Sequence, residues 1–142
     1  VPPEELPRAL WEQVEVLRQG PLEVVELTGG LTNRNFKVTT PDGAYVVRLS
    51  RRHPGGLAVD RDHEHQNSVI AAAAGVGAPV LSYLPEGSAL ADGSALVIGY
   101  IEGRTLADGD FASPGIIERV ADSCRRLHRG ARFVSDFDMF EI

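Results

Sequence analysis

The stretch LTGGLTNRNFKV, residues 27–38, decides how this chain is read. An apolar strand-like run leads into two adjacent glycines, polar Thr32, Asn33 and Asn35 follow, and a second strand-like run begins. A two-residue Asn-Gly turn would close a hairpin with fewer residues. A tip of this length suits a loop that holds something. Backbone N–H groups grip a phosphate chain best where no side chain obstructs them, and Gly29 and Gly30 permit that close approach. Thr32, Asn33 and Asn35 can add side-chain donors. By its residues alone, the tip also fits a merely flexible hairpin.

Working outward, residues 22–28 (LEVVELT) and 35–40 (NFKVTT) read as strands, PDG at 41–43 as a turn, and 44–49 (AYVVRL) as a third strand. The result is an antiparallel meander. Arg48 shares a strand face with Val46 and Ala44. A charge in such company needs a partner or a ligand, unless it sits on an edge strand and reaches water. Residues 60–74 read as a helix, with Asp60, Asp62 and Glu64 in its first turns, alanines at 71–74 and Gly75 as its stop. Residues 78–85 make a fourth strand. Residues 95–101 (ALVIGYI) make a fifth, apolar without alternation, as expected of a strand buried on both faces. Upstream, residues 7–18 form a helix with Leu10, Val14 and Leu17 on one face and Trp11 beside them. Downstream, Ser113 is placed to cap a helix with Pro114 in its first turn. Its stripe of Ile117, Val120, Ala121, Cys124, Leu127 and His128 runs to Arg129, and Gly130 closes it.

The chain has 142 residues, 43% hydrophobic and 24% charged, enough for one real core. A net charge of -6 argues against a sequence-independent grip on nucleic acid. One cysteine, Cys124, precludes an internal disulfide and fits a reducing compartment, most simply the cytoplasm. No apolar run approaches the roughly 20 residues that span a bilayer, so no membrane partner is expected. The acidic, Pro-rich start, VPPEELPR, is unlike a signal peptide and lacks an initiator Met, which suggests a processed or trimmed end.

The order of these pieces resembles the small lobe of a protein kinase-like fold, in particular the choline/ethanolamine kinase and aminoglycoside phosphotransferase superfamily. The resemblance is carried by GGLTNRNFKV (29–38), YVVRL (45–49), DRDHEHQNSVIAAAAGVGAPVL (60–81) and LVIGYIEGRTL (96–106), and runs from Leu27 to about His128. It implies an α+β fold: an antiparallel five-stranded sheet with one packed helix, an N-terminal helix, and a C-terminal helix that begins a large lobe. The implied domains are an N-terminal helix at 1–20, a nucleotide-binding lobe at 21–103, and a linker with the first large-lobe helix at 104–142. The implied cofactor is ATP, covered by the tip through Gly29, Gly30, Leu31, Thr32, Asn33 and Asn35. Arg48 takes the place usually held by the phosphate-binding Lys, a variant common among choline kinase-like proteins, and Glu64 is its helix partner. By the same resemblance the C=O of Gly99 and the N–H of Ile101 bond the adenine, with Val46, Leu27 and Val38 against its faces.

The chain departs from a working kinase in one respect. The superfamily's catalytic Asp lies in a His-x-Asp motif, and none of the four histidines (HPG, HEH, HQN, HRG) supplies one. Mg is therefore expected to find its ligands in a large lobe downstream. HEH at 63–65 lacks the spacing that puts two metal ligands on one helical face. DFD at 136–138 follows the last helix with no catalytic loop before it and reads as the opening of the large lobe. Phe133, Phe137, Met139 and Phe140 there call for a core to pack against. The expectation is an ATP-dependent small-molecule kinase acting on choline or ethanolamine, of which this chain alone is inactive. An aminoglycoside or other hydroxylated acceptor is the runner-up, and a non-catalytic interaction module, self-associating through its bare lobe surface, is the competing class.

Overall fold

A computed structural model describes residues 1–28, 33–52, 60–88, 90 and 92–134. Five strands, β1 (Glu23–Leu27), β2 (Asn33–Thr40), β3 (Gly43–Ser50), β4 (Val80–Leu84) and β5 (Ser94–Gly99), form one open sheet in the order β1-β2-β3-β5-β4. Every neighbouring pair is antiparallel. With helices α1 (Arg8–Gln13), α2 (Arg61–Ala73) and α3 (Ile116–Arg129), this is the α+β architecture of a kinase-like N-terminal lobe.

The core lies on one face of the sheet. Phe36, Val38, Val47 and Val97 point there and meet Leu10, Val14 and Leu17 of the N-terminal segment, all at most 1% exposed. Each such side chain contributes about 1.5–3 kcal/mol by leaving water. The expected single helix over 7–18 is divided. α1 ends at Gln13, Val14 is extended, and a 3-10 turn covers Glu15–Leu17. The β-branched Val14 and Val16 favour helix weakly. The bend keeps Leu10, Val14 and Leu17 all seated on a twisted sheet, so burial outweighs helical continuity.

α2 lies on the opposite face, along β4. Its start is fixed by Asp60, whose Oδ1 accepts the N–H groups of Asp62 and His63 at 3.0 Å. Its end follows from Gly75, in the left-handed region at φ 71°. The Gly75 N–H donates to Ala72 and the Val76 N–H to Ala71, the paired bonds of a Schellman ending. Between this helix and the core, Ser94 and then Ala95, Leu96 and Val97 of the apolar run are buried, whereas the far end of the run, expected to be buried as well, is not: Ile101 lies past the end of β5 and is 64% exposed.

α3 begins later than expected. Ser113 closes a 3-10 turn over Asp108–Ala112, and Gly115, at φ 81°, precedes the helix. The cause lies upstream. Arg104 donates to both oxygens of Asp110, at 2.6 and 2.7 Å, and Asp110 accepts the Ala107 N–H at 2.7 Å. That closed loop draws Ser113 into the turn and leaves the left-handed step to a glycine, which takes it without steric cost. No residue of α3 is buried.

Candidate functional site

Side chains directly opposite one another across a sheet share a face. The register therefore sets out the face beneath α2 in rows. One row is Leu27, Asn35, Arg48, Leu96 and Tyr83, and the next is Val25, Lys37, Val46, Ile98 and Val80. Asn33, Ser50 and Ser94 make a third, at the strand ends nearest the glycine tip. Val38 belongs to the opposite, core face and is fully buried beside Val24 and Tyr45, so it cannot contact a ligand with Val46. Leu27 and Val46 do share the α2 face.

Arg48 and Glu64 meet. Arg48 Nη1 donates to Glu64 Oε1 at 2.6 Å, and Arg48 Nε donates to Asn35 Oδ1 at 3.1 Å. The second oxygen of Glu64 accepts from Arg61 Nη1, also at 2.6 Å. Burial acts to raise the Glu64 carboxyl. The hydrogen bonds and charges of Arg61 and Arg48 outweigh it and hold the group below its ordinary value of 4.5. Charge-assisted bonds of this length, on side chains no more than a third exposed, orient both guanidinium groups.

Two partners here were not foreseen. Asn35, read from the sequence as a donor at the tip, has its oxygen engaged in bracing Arg48. The parity of the hairpin could have shown it, because Asn35 pairs directly with Arg48. Arg61 stands one helical turn before Glu64, a spacing at which side chains meet. Asn33 likewise lies within β2 rather than in the tip, and its Oδ1 accepts from Ser50 Oγ at 2.9 Å.

One further hydrogen bond and one ring stack hold α2 over Arg48. Tyr83 on β4 donates its hydroxyl to Asp62 at 2.7 Å, and its ring stacks on His65 at 4.4 Å between centroids. Burial, then the Asp62 carboxylate, pushes the Tyr83 phenol well above its ordinary value. His63 instead sits 3.7 Å from Asp60, so the two histidines are directed to different partners. Among the described residues no group of three or more His, Cys, Asp or Glu side chains is placed to hold a metal ion.

At the end of β5 the chain leaves the sheet. The Gly99 N–H donates to Pro79 and the Tyr100 N–H to Ala44, while Ile101 is 64% exposed. Lys37 reaches this segment from the Val46 row, its ammonium 4.0 Å from the Tyr100 ring centre and 3.9 Å from Glu102. Gly99 and Ile101 thus follow Ile98, the β5 partner of Val46, and Arg48 lies one row further along β3, opposite Leu96. Gly29, Gly30, Leu31 and Thr32, and the DFD stretch at 136–138, lie outside the described residues. A separate cavity of about 550 Å³ opens between Asn33, Ser50 and Ser94 and the N-terminal Glu5 and Pro7, and among the described residues Asn33 is the one expected site residue that lines it.

Among the described residues, no helix is long and apolar enough to cross a membrane. No curated protein and no solved structure shows significant similarity to the chain. Residues 23–140 match the family model of the APH phosphotransferase enzyme family. That span covers the whole sheet, α2 and α3. The chain belongs to this phosphotransferase family, within the protein kinase-like aminoglycoside phosphotransferase and choline kinase superfamily.

Proposed function

We propose that this chain is the nucleotide-binding lobe of an ATP-dependent kinase that transfers phosphate to the hydroxyl of a small molecule, choline or ethanolamine being the acceptor the sequence favours. The observation that carries the reading is the Arg48 guanidinium, held by Asn35 and Glu64 on the sheet face beneath α2. Its Nη2 donates to nothing among the described residues and is left for a ligand. On this reading Arg48 takes the nucleotide's phosphates, and Gly29, Gly30, Leu31 and Thr32 fold over them. Val46 and Leu27 lie against the base, and the Gly99 C=O and Ile101 N–H read its edge. The fixed charge and forked donors of arginine suit phosphate oxygens.

The domain reading is an N-terminal segment at 1–20, the nucleotide lobe at 21–103, and from 104 onward the linker and opening helix of a large lobe. Mg²⁺ bound with ATP would offset phosphate charge, and its protein ligands belong to that large lobe. The lone, exposed Cys124 is consistent with a reducing cytoplasm. The groove of about 430 Å³ along α3, lined by Val76, Leu106, Ile116, Val120 and Leu127, is what the large lobe would cover.

Titrating ATP into the 142-residue chain tests the reading. Weak binding is expected, because the described residues supply one wall of the nucleotide site. Arg48→Met, which keeps the apolar stem, weakens it by about tenfold, the worth of one charge-assisted hydrogen bond. No binding at millimolar ATP, or equal binding by the variant, would leave the fold as a non-catalytic module.

A further inference from the structure

Glu64 holds two arginines, and the reading of Arg48 accounts for only one of them. Arg61 is the first residue of α2, yet only 22% of its side chain is exposed, unlike an arginine that merely solvates a helix start. Its Nη1 is bonded to Glu64. Its Nε and Nη2, like the Nη2 of Arg48, donate to nothing among the described residues. No buried side-chain nitrogen or oxygen lacks a partner there, so these donors are open to solvent rather than sealed in. The neighbouring acids are already engaged. Asp60 caps the helix, and Asp62 accepts from Tyr83. Two guanidinium groups around one carboxylate carry a net positive charge, in a chain whose overall charge is -6. Unbonded, outward-facing N–H groups on that surplus charge are what a polyanion binds.

We propose that Arg61 is a second phosphate-binding residue, set beside Arg48 by the carboxylate they share, so that the site grips a polyphosphate with two forks. The proposal rests on the ATP reading above and adds to it a residue and a consequence: affinity rises with the number of phosphates, and inorganic tripolyphosphate alone is a ligand. A purely structural Arg61 would tie Glu64 to α2 and make no such distinction.

The test is calorimetric titration of the 142-residue chain with ATP, AMP and inorganic tripolyphosphate, alongside thermal melts. Arg61→Gln is expected to weaken ATP and tripolyphosphate by about tenfold, and AMP by less than about threefold. Arg61→Lys keeps the charge and loses the fork, and is expected to weaken ATP by about threefold with an unchanged melt. It serves if Arg61→Gln does not fold. Equal weakening of ATP and AMP, or unchanged ATP affinity in the folded variants while Arg48→Met still lowers it, overturns the role of Arg61 and leaves the ATP reading standing. If the unaltered chain binds neither ATP nor tripolyphosphate, both fall.

Discussion

Glu64 is the residue on which the site turns, because one carboxylate orients two cations. Its protonation is therefore linked to stability. Its folded value lies below the unfolded 4.5, so its contribution is complete above that pH and is lost as pH falls through the lower folded value. Glu64→Gln is expected to cost about 1–3 kcal/mol at pH 7 in urea unfolding, and the difference from the unaltered protein should shrink below about pH 4.5. A difference that stays constant across that range would show that the carboxylate's charge is not what holds the pair. Arg48 could be picked out in the sequence because a charge inside an apolar strand demands a partner, and Glu64 was named as that partner by the family resemblance. Asn35 as a brace was legible only through the parity of the hairpin, which pairs it with Arg48; by its residue type alone, an Asn near a glycine tip reads equally well as a tip donor. Val38 shows the reverse case. Strand alternation already separated it from Asn35, and overlooking that placed it on the wrong face.

At the scale of elements, the five strands were legible to within two residues because alternation and turn signals coincide along the meander. The helix ends were less so. The division of α1 at Val14 comes from the shape of the surface it covers, and the late start of α3 comes from the Arg104–Asp110 pair, whose two members are six residues apart. α2 is the element the site depends on, and none of its residues is fully buried. It is held over Arg48 by specific contacts, Tyr83 to Asp62 and His65 among them, more than by a deep apolar stripe. Tyr83→Phe removes the bond and keeps the stack. It should lower stability by about 1 kcal/mol and speed amide exchange in α2 ahead of the sheet. Uniform faster exchange throughout the protein would mean that α2 has no separate tether.

For the whole molecule, the chief asymmetry is between a sheet closed on its core face and an α3 whose apolar side chains face solvent, with Ile117 62% and Val120 41% exposed. An uncovered surface of this kind favours association. The 142-residue chain is expected to self-associate in sedimentation runs at tens of micromolar, and Val120→Glu to shift it toward monomer; a strictly monomeric unaltered chain would contradict this. The family to which the chain belongs is one of phosphotransferase enzymes, and the geometry gathers two guanidinium groups, Arg48 and Arg61, around the Glu64 carboxylate.

The most direct measurement is a double-mutant cycle between Arg48 and Glu64 read out in ATP affinity. If Glu64 acts by orienting Arg48 toward phosphate, Glu64→Gln weakens ATP by about tenfold in the unaltered chain but by about threefold or less once Arg48 is Met, a clear coupling. Equal effects in the two backgrounds, or tighter binding when the negative charge is removed, would contradict the account.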